Sequence, residues 1–112
     1  MIQYKEPQII LKVYDLYKMF YLEVKKWPKP ERYNLGRKCE ETILKILENL
    51  LTASRLQTKH ANLFQANIKL QILKTLFRLG KDIQIITNKK YIFLEKELFA
   101  IGRMLGGWIK SL

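Results

Sequence analysis

The stretch NKKYIFLEKELFAIGRMLGGWIKSL, residues 88–112, decides the fold. Tyr91, Leu94, Leu98, Ile101, Leu105 and Trp108 recur in it at alternating steps of three and four. That is the period of an amphipathic helix with one apolar seam. Thr87 or Asn88 stands where an N-cap belongs, with a side-chain oxygen to accept from the free amides of the first turn. Yet the last turns hold Gly102, Gly106 and Gly107. Each glycine inside a helix costs about 1 kcal/mol relative to alanine. Gly102 and Gly106 lie four apart beside the seam, and without Cβ atoms they let a neighbouring helix or subunit approach closely. A fraying terminus fits less well, because Trp108 follows them and a large aromatic favours burial.

The same periodicity runs back through the chain. Leu63, Ala66, Leu70, Leu73 and Phe77 form a seam that Asp82 and the β-branched IQIIT bring to an end. Thr58 is a candidate cap for that helix. Cys39, Ile43, Ile46, Leu50 and Ala53 form another seam after a candidate N-cap at Asn34, and the break behind it falls in SRLQTKH. Ile10, Val13, Tyr17, Phe20, Val24 and Trp27 form the first seam, opened by Pro7 and stopped by WPKPE, since Pro28 and Pro30 disfavour helix at the residues before them. Four helices of about 20 residues, each about 30 Å long, joined by short connections, predict an all-α fold, an antiparallel up-down four-helix bundle. The whole chain, residues 1–112, reads as one such domain, with no internal repeat or long linker.

The helices are apolar beyond one seam. Ile9, Tyr14, Leu16 and Tyr21 widen the first, and Ile68, Ile72, Leu76 and Leu79 widen the third. A monomeric bundle needs about three apolar positions in seven. The excess points to a second buried surface, most simply between subunits, against the plainer reading of scattered surface leucines.

Catalytic constellations are missing. The chain has one cysteine, Cys39, placed in a seam, and one histidine, His60, near a helix start. One of each, with no HxxxH or CxxC, makes no zinc site, and no glycine-rich phosphate loop is present. Glu40 and Glu41 fall early in a helix, where they suit its dipole. The expectation is a protein that is not an enzyme, with no catalytic residues, metal or cofactor. No intrachain disulfide is possible and no apolar run is long enough to span a bilayer. The opening MIQYKEPQII has no apolar block of the signal-peptide kind. A cytoplasmic protein without a membrane partner is therefore expected.

Charge is the stronger signal. The chain carries 21 Lys+Arg against 10 Asp+Glu, a formal net charge of +11. An excess of this size directs attention to phosphate, although it also aids solubility. Lys89, Lys96, Arg103 and Lys110 repeat every seven residues. Seven residues drift by only about 20° on a helix, so the four form one stripe. Lys74, Arg78 and Lys81 share a face of the third helix, with Lys69 nearby. Lys38 and Lys45, and Lys18 and Lys25, also repeat at seven. Glu95 and Glu97 flank the last stripe and partly neutralise it. Candidate nucleic-acid-binding residues are Lys74, Arg78, Lys81, Lys96, Arg103 and Lys110; Gly102, Gly106 and Trp108 are candidates for subunit packing. Tyr14, Tyr17 and Tyr21, interleaved with lysines, read either as base-stacking groups or, with more weight, as helix or subunit packing.

Three motifs carry a resemblance: IGRMLGGWIKSL at the end, LFRLGKDI on the third helix, and WPKPERYNLGRKCEE leading into the second. Together they resemble the accessory variability determinant (Avd) family of diversity-generating retroelements. The PKxERYxLG part is also similar to the wider four-helix-bundle family encoded in intervening sequences of 23S ribosomal RNA genes. The Avd resemblance implies a small basic bundle that assembles as a homopentamer. It implies partners in a reverse transcriptase and in template RNA or cDNA, and a role in mutagenic reverse transcription. On it, Arg78 and Lys81 match basic third-helix positions, and Arg103 and Lys110 match basic positions of the last helix. The wider family implies the alternative, a structural or protein-interaction bundle with no nucleic-acid role. This chain departs from the Avd pattern in its apolar third connection, Ile85–Ile86–Thr87, and in using lysine where arginine is common.

Overall fold

The four expected helices form, and a short fifth joins them: α1 Gln8–Glu23, α2 Lys29–Tyr33, α3 Leu35–Arg55, α4 His60–Asp82 and α5 Asn88–Lys110, of which α2 is the short one. They are seen in a computed structural model that describes residues 7–55 and 59–112. Thr58, the candidate cap of α4, lies outside the described residues. The long helices form a four-helix bundle of 49 × 24 × 20 Å, with no strand among the described residues.

Contacts between consecutive long helices occur in reverse order along the chain, as up-and-down packing requires. Tyr17 of α1 donates to Glu40 of α3 at 3.1 Å, and Val24 just after α1 abuts Gly36. Asn62 of α4 donates to Asn49 of α3 at 3.1 Å, whereas Gly80 near the other end of α4 faces Leu35. Lys81 of α4 lies 4.8 Å from the ring centre of Tyr91 on α5, and Leu70 faces Gly102. Lys12 of α1 closes the ring of helices with an ion pair to Glu97 of α5 at 2.7 Å.

One hydrophobic cluster fills the interior. All five residues of the α3 seam and all five of the α4 seam are buried. Phe20 and Phe77 cross the core from α1 to α4, ring centres 5.7 Å apart. Fully burying a side chain of this size contributes about 1.5–3 kcal/mol. Burial of this kind, more than helix propensity, holds such helices.

The first seam differs from its expected course. Helix α1 ends at Glu23, and a 3-10 turn, Val24–Lys26, tightens the chain. Trp27 is extended (ψ 154°), as a residue before proline should be, and reaches the core from there, edge-on to Phe20 at 5.5 Å. Pro28 and Pro30 then start a helix as well as stopping one: α2 begins at Lys29. A fixed φ and a missing amide are no handicap in a first helical turn. Asn34 links α2 to α3 and contributes its backbone carbonyl, which accepts from the Lys38 amide at 3.2 Å.

The corner between α1 and α3 closes on Gly36, where a Cβ would lie 2.5 Å from Val24 Cγ2 and 3.2 Å from the Glu31 carbonyl. The apolar third connection closes on Gly80 in the same way. There the chain leaves α4 through a Schellman motif: Ile85 donates to Gly80 at 2.8 Å and Gln84 to Lys81 at 3.0 Å. Gln84 takes the left-handed position, φ 66°. The motif turns Ile86 into the core, where it is buried. That burial is the physical reason for an apolar IQIIT.

Candidate nucleic-acid interface

The Thr87 hydroxyl accepts from the Lys90 amide at 3.1 Å and so starts α5 as expected from its sequence. From that start the helical period sets Leu94, Leu98, Ile101 and Leu105 inward. Lys89, Lys96, Arg103 and Lys110 fall on the opposite side, all exposed. Each step of seven residues advances about 10.5 Å, so the stripe runs along the outermost line of the helix. Among the described residues none of these four cations has an ion-pair partner. Glu97 is held by Lys12 at 2.7 Å, and among the described residues Glu95 has no ion pair with the stripe. The Glu95 hydrogen bond, then desolvation and the Glu95 charge, raise the Tyr91 phenol above its ordinary pKa against the opposing pull of Arg78.

The α4 cations divide. Lys74 faces α5 and shares a groove with Lys96. Arg78 and Lys81 both meet Asp82, at 3.9 Å and 3.6 Å, and Lys81 also lies over Tyr91. Both are therefore paired with an acid, whereas among the described residues Lys96, Arg103 and Lys110 have no ion pair.

The α1 tyrosines divide as well. Tyr17 is half-buried, its hydroxyl bonded to Glu40; desolvation first, then that bond, raise its pKa. Tyr14 and Tyr21 are exposed, with Lys18 and Lys25 lying 5.5 Å and 4.7 Å from their ring centres.

Of the two close approaches expected at the α5 glycines, by a neighbouring helix or by a subunit, contacts within the chain bear only on the first. A Cβ on Gly102 would sit 3.6 Å from Leu70 Cδ2, an ordinary contact. At Gly106 and Gly107 a Cβ would meet nothing within 4 Å. Trp108 lies with Ile9 and Met104 at the α1 side of the helix. Two residues apart on a helix, Gly106 and Trp108 point about 200° from each other, so the three packing candidates do not share one surface. The glycines that do pack tightly, Gly36 and Gly80, were not singled out by spacing, because Val24 and Ile86 meet them only through turns.

Apolar side chains also remain outside. Phe64, Ile68, Ile72 and Leu79 form an uncharged spine on the outer face of α4. Ile92 and Phe99 are 55% and 64% exposed beside the α5 stripe. The sequence signal for this pair was a second repeat of seven, Ile92–Phe99–Gly106, running alongside the lysines.

Cys39 is buried, and desolvation pushes its thiol up to about 12, far from a nucleophile. His60 is exposed at the start of α4. Among the described residues no group of three or more His, Cys, Asp or Glu is placed to hold a metal ion. No helix is long and apolar enough to cross a membrane among those residues.

The profile of the bAvd-like family matches residues 8–112. No curated protein and no solved structure matches the chain significantly. The family is one of accessory proteins and is not known for catalysis. The match begins at the first residue of α1, takes in every helix of the bundle and ends with the last residue of the glycine-rich terminus, and on that extent the chain belongs to the bAvd-like family of diversity-generating retroelement accessory proteins.

Proposed function

We propose that this protein is a basic, non-enzymatic scaffold that binds the retroelement's reverse transcriptase and holds its template RNA or cDNA during mutagenic copying, in the cytoplasm. The observation that carries this reading is the line of four exposed, unpaired cations along α5, with Lys74 beside it. A polyanion placed on that line exchanges condensed counterions for fixed charges, which favours binding and makes it depend steeply on salt. Phosphate contacts of this type position a strand and do not read its sequence. The polymerase supplies the chemistry. On the family resemblance the protein assembles as a homopentamer, and repeated weak contacts on one scaffold then act together. The uncharged α4 spine and the open backbone at Gly106 and Gly107 are surfaces available for burial between copies.

A filter-binding titration with RNA at rising salt tests the reading. Tight binding that weakens with salt, and that is lost on charge reversal of Arg78, Lys81, Arg103 and Lys110 with helicity unchanged, supports it. Little binding even at low salt rejects it. The second reading, a protein-interaction bundle without nucleic acid, draws on the α4 spine alone and predicts that second result.

A further inference from the structure

Between α4 and α5 runs a groove of about 500 Å³. Its floor is apolar: Phe77 and Leu98 line it and are each 1% exposed. Its outer wall is the exposed pair Ile92 and Phe99, and Lys74 and Lys96 stand on its two helices. Among the described lining residues Glu95 is the one carboxylate, beside Tyr91.

Resting on the nucleic-acid reading above, we propose that this groove seats an unpaired base of a single-stranded nucleic acid, with Phe99 as the stacking platform and Lys74 and Lys96 on the flanking phosphates. Three features favour that occupant. The apolar slot accepts a flat ring, and stacking on an exposed aromatic works for every base because each has a π-face. Cations on both helices supply charge for a backbone passing over the slot, continuous with the unpaired Lys89 and Arg103. The carboxylate within suits the N–H donors of a base edge and repels phosphate, so the base goes in and the backbone stays out. A duplex keeps its bases stacked and paired, so it can use the α5 stripe but not the slot. The site thereby gives a generally basic surface a preference for single strands.

The test is fluorescence anisotropy at one fixed salt concentration, with a short single-stranded RNA and with a duplex of the same length. Full-length parent, Phe99→Ala and Phe99→Trp proteins are compared. Phe99 is exposed, so its substitution leaves the core intact, which a thermal melt checks. Phe99→Ala should weaken single-strand binding by about tenfold and leave duplex binding within about twofold, and Phe99→Trp should restore the parental value. An equal loss on both probes, or no loss on the single strand, overturns the slot while leaving the basic stripe in place. A change in oligomer mass in Phe99→Ala, with single-strand affinity unchanged, makes the groove a protein contact and also overturns it. Failure of the parent to bind either probe removes the underlying reading itself.

Discussion

Ile86 donates its backbone amide to the carbonyl of Gly80 at 3.0 Å and lays its side chain against the same glycine, where a Cβ would come within 2.6 Å of Cδ1 and 2.9 Å of Cγ1. The hydrogen bond and the packing enforce each other, because the turn that aims Ile86 inward leaves room only for hydrogen on Gly80. Gly80→Ala should therefore destabilise the bundle. Overpacking of this kind costs about 1–3 kcal/mol, against about 1 kcal/mol returned by alanine's helix propensity. Thermal melts should show a net loss, and adding Ile86→Val, which removes the Cδ1 atom, should recover part of it. Equal effects of Ile86→Val with and without the Gly80 substitution would show that the two sites do not meet.

Gln84, four residues on, carries the opposite defect. It occupies a left-handed conformation, φ 66°, where a Cβ crowds the backbone. That conformation costs a non-glycine residue roughly 1–2 kcal/mol, and the position of a Schellman motif it fills is usually glycine. Gln84→Gly should raise the melting temperature by several degrees, since about 1 kcal/mol moves a domain of this size by roughly that much. Gln84→Ala keeps the Cβ and should leave the temperature nearly unchanged.

These two sites mark the limit of what could be read from residues alone. The seams Cys39–Ile43–Ile46–Leu50–Ala53 and Leu63–Ala66–Leu70–Leu73–Phe77 are buried throughout, because helical period and burial are the same property seen twice. The ends at Asp82 and Thr87 were legible because they depend on local chemistry. Gly36 and Gly80 were not, since their meaning lies in Val24 and Ile86, brought to them by a 3-10 turn and a Schellman turn. The start of α2 was missed because a proline ends one helix by the same restriction that begins another. At the candidate interface the α5 stripe is visible as a repeat of seven, whereas the engagement of both Arg78 and Lys81 by Asp82 depends on side-chain conformation that spacing does not encode.

Cys39 gives the protein an alkaline weakness. Burial raises its thiol from 9.0 to about 12, so the folded state keeps the proton that the unfolded chain begins to lose near pH 9. The stabilisation from this group is complete below pH 9 and disappears as the pH climbs toward 12. Within that window each pH unit removes up to about 1.4 kcal/mol. Denaturant titrations at increasing pH should show a steeper loss for the parent than for Cys39→Ala, which lacks the thiol. Parallel curves would place the ionisation elsewhere.

Gly106 separates stability of the protomer from assembly. A side chain there meets nothing within 4 Å inside the chain. Helix propensity alone then predicts that Gly106→Leu strengthens an isolated bundle by up to about 1 kcal/mol. If copies pack against the bare backbone at this point, the same change should lower the mass measured by light scattering while the helices survive. A variant with parental mass and a higher melting temperature would take Gly106 out of any subunit contact.

Asp82 sets how much of the α4 charge is offered to a polyanion. Its carboxylate stands 3.9 Å from Arg78 Nε and 3.6 Å from Lys81 Nζ. Exposed pairs of this sort contribute about 0–1 kcal/mol to folding, and an acid in the last turn of a helix opposes the dipole, so Asp82→Asn should leave stability nearly unchanged. Nucleic-acid affinity should behave differently. Removing the carboxylate releases two cations beside the groove that Lys74 shares with Lys96, so RNA affinity should rise severalfold at low salt with a steeper salt dependence. Asp15→Asn is the matched control, because it changes net charge equally on α1, where Asp15 lies 3.9 Å from Lys18. A larger gain for Asp82→Asn assigns Arg78 and Lys81 to the interface. Equal gains would reduce the effect to net charge and leave the binding surface to α5.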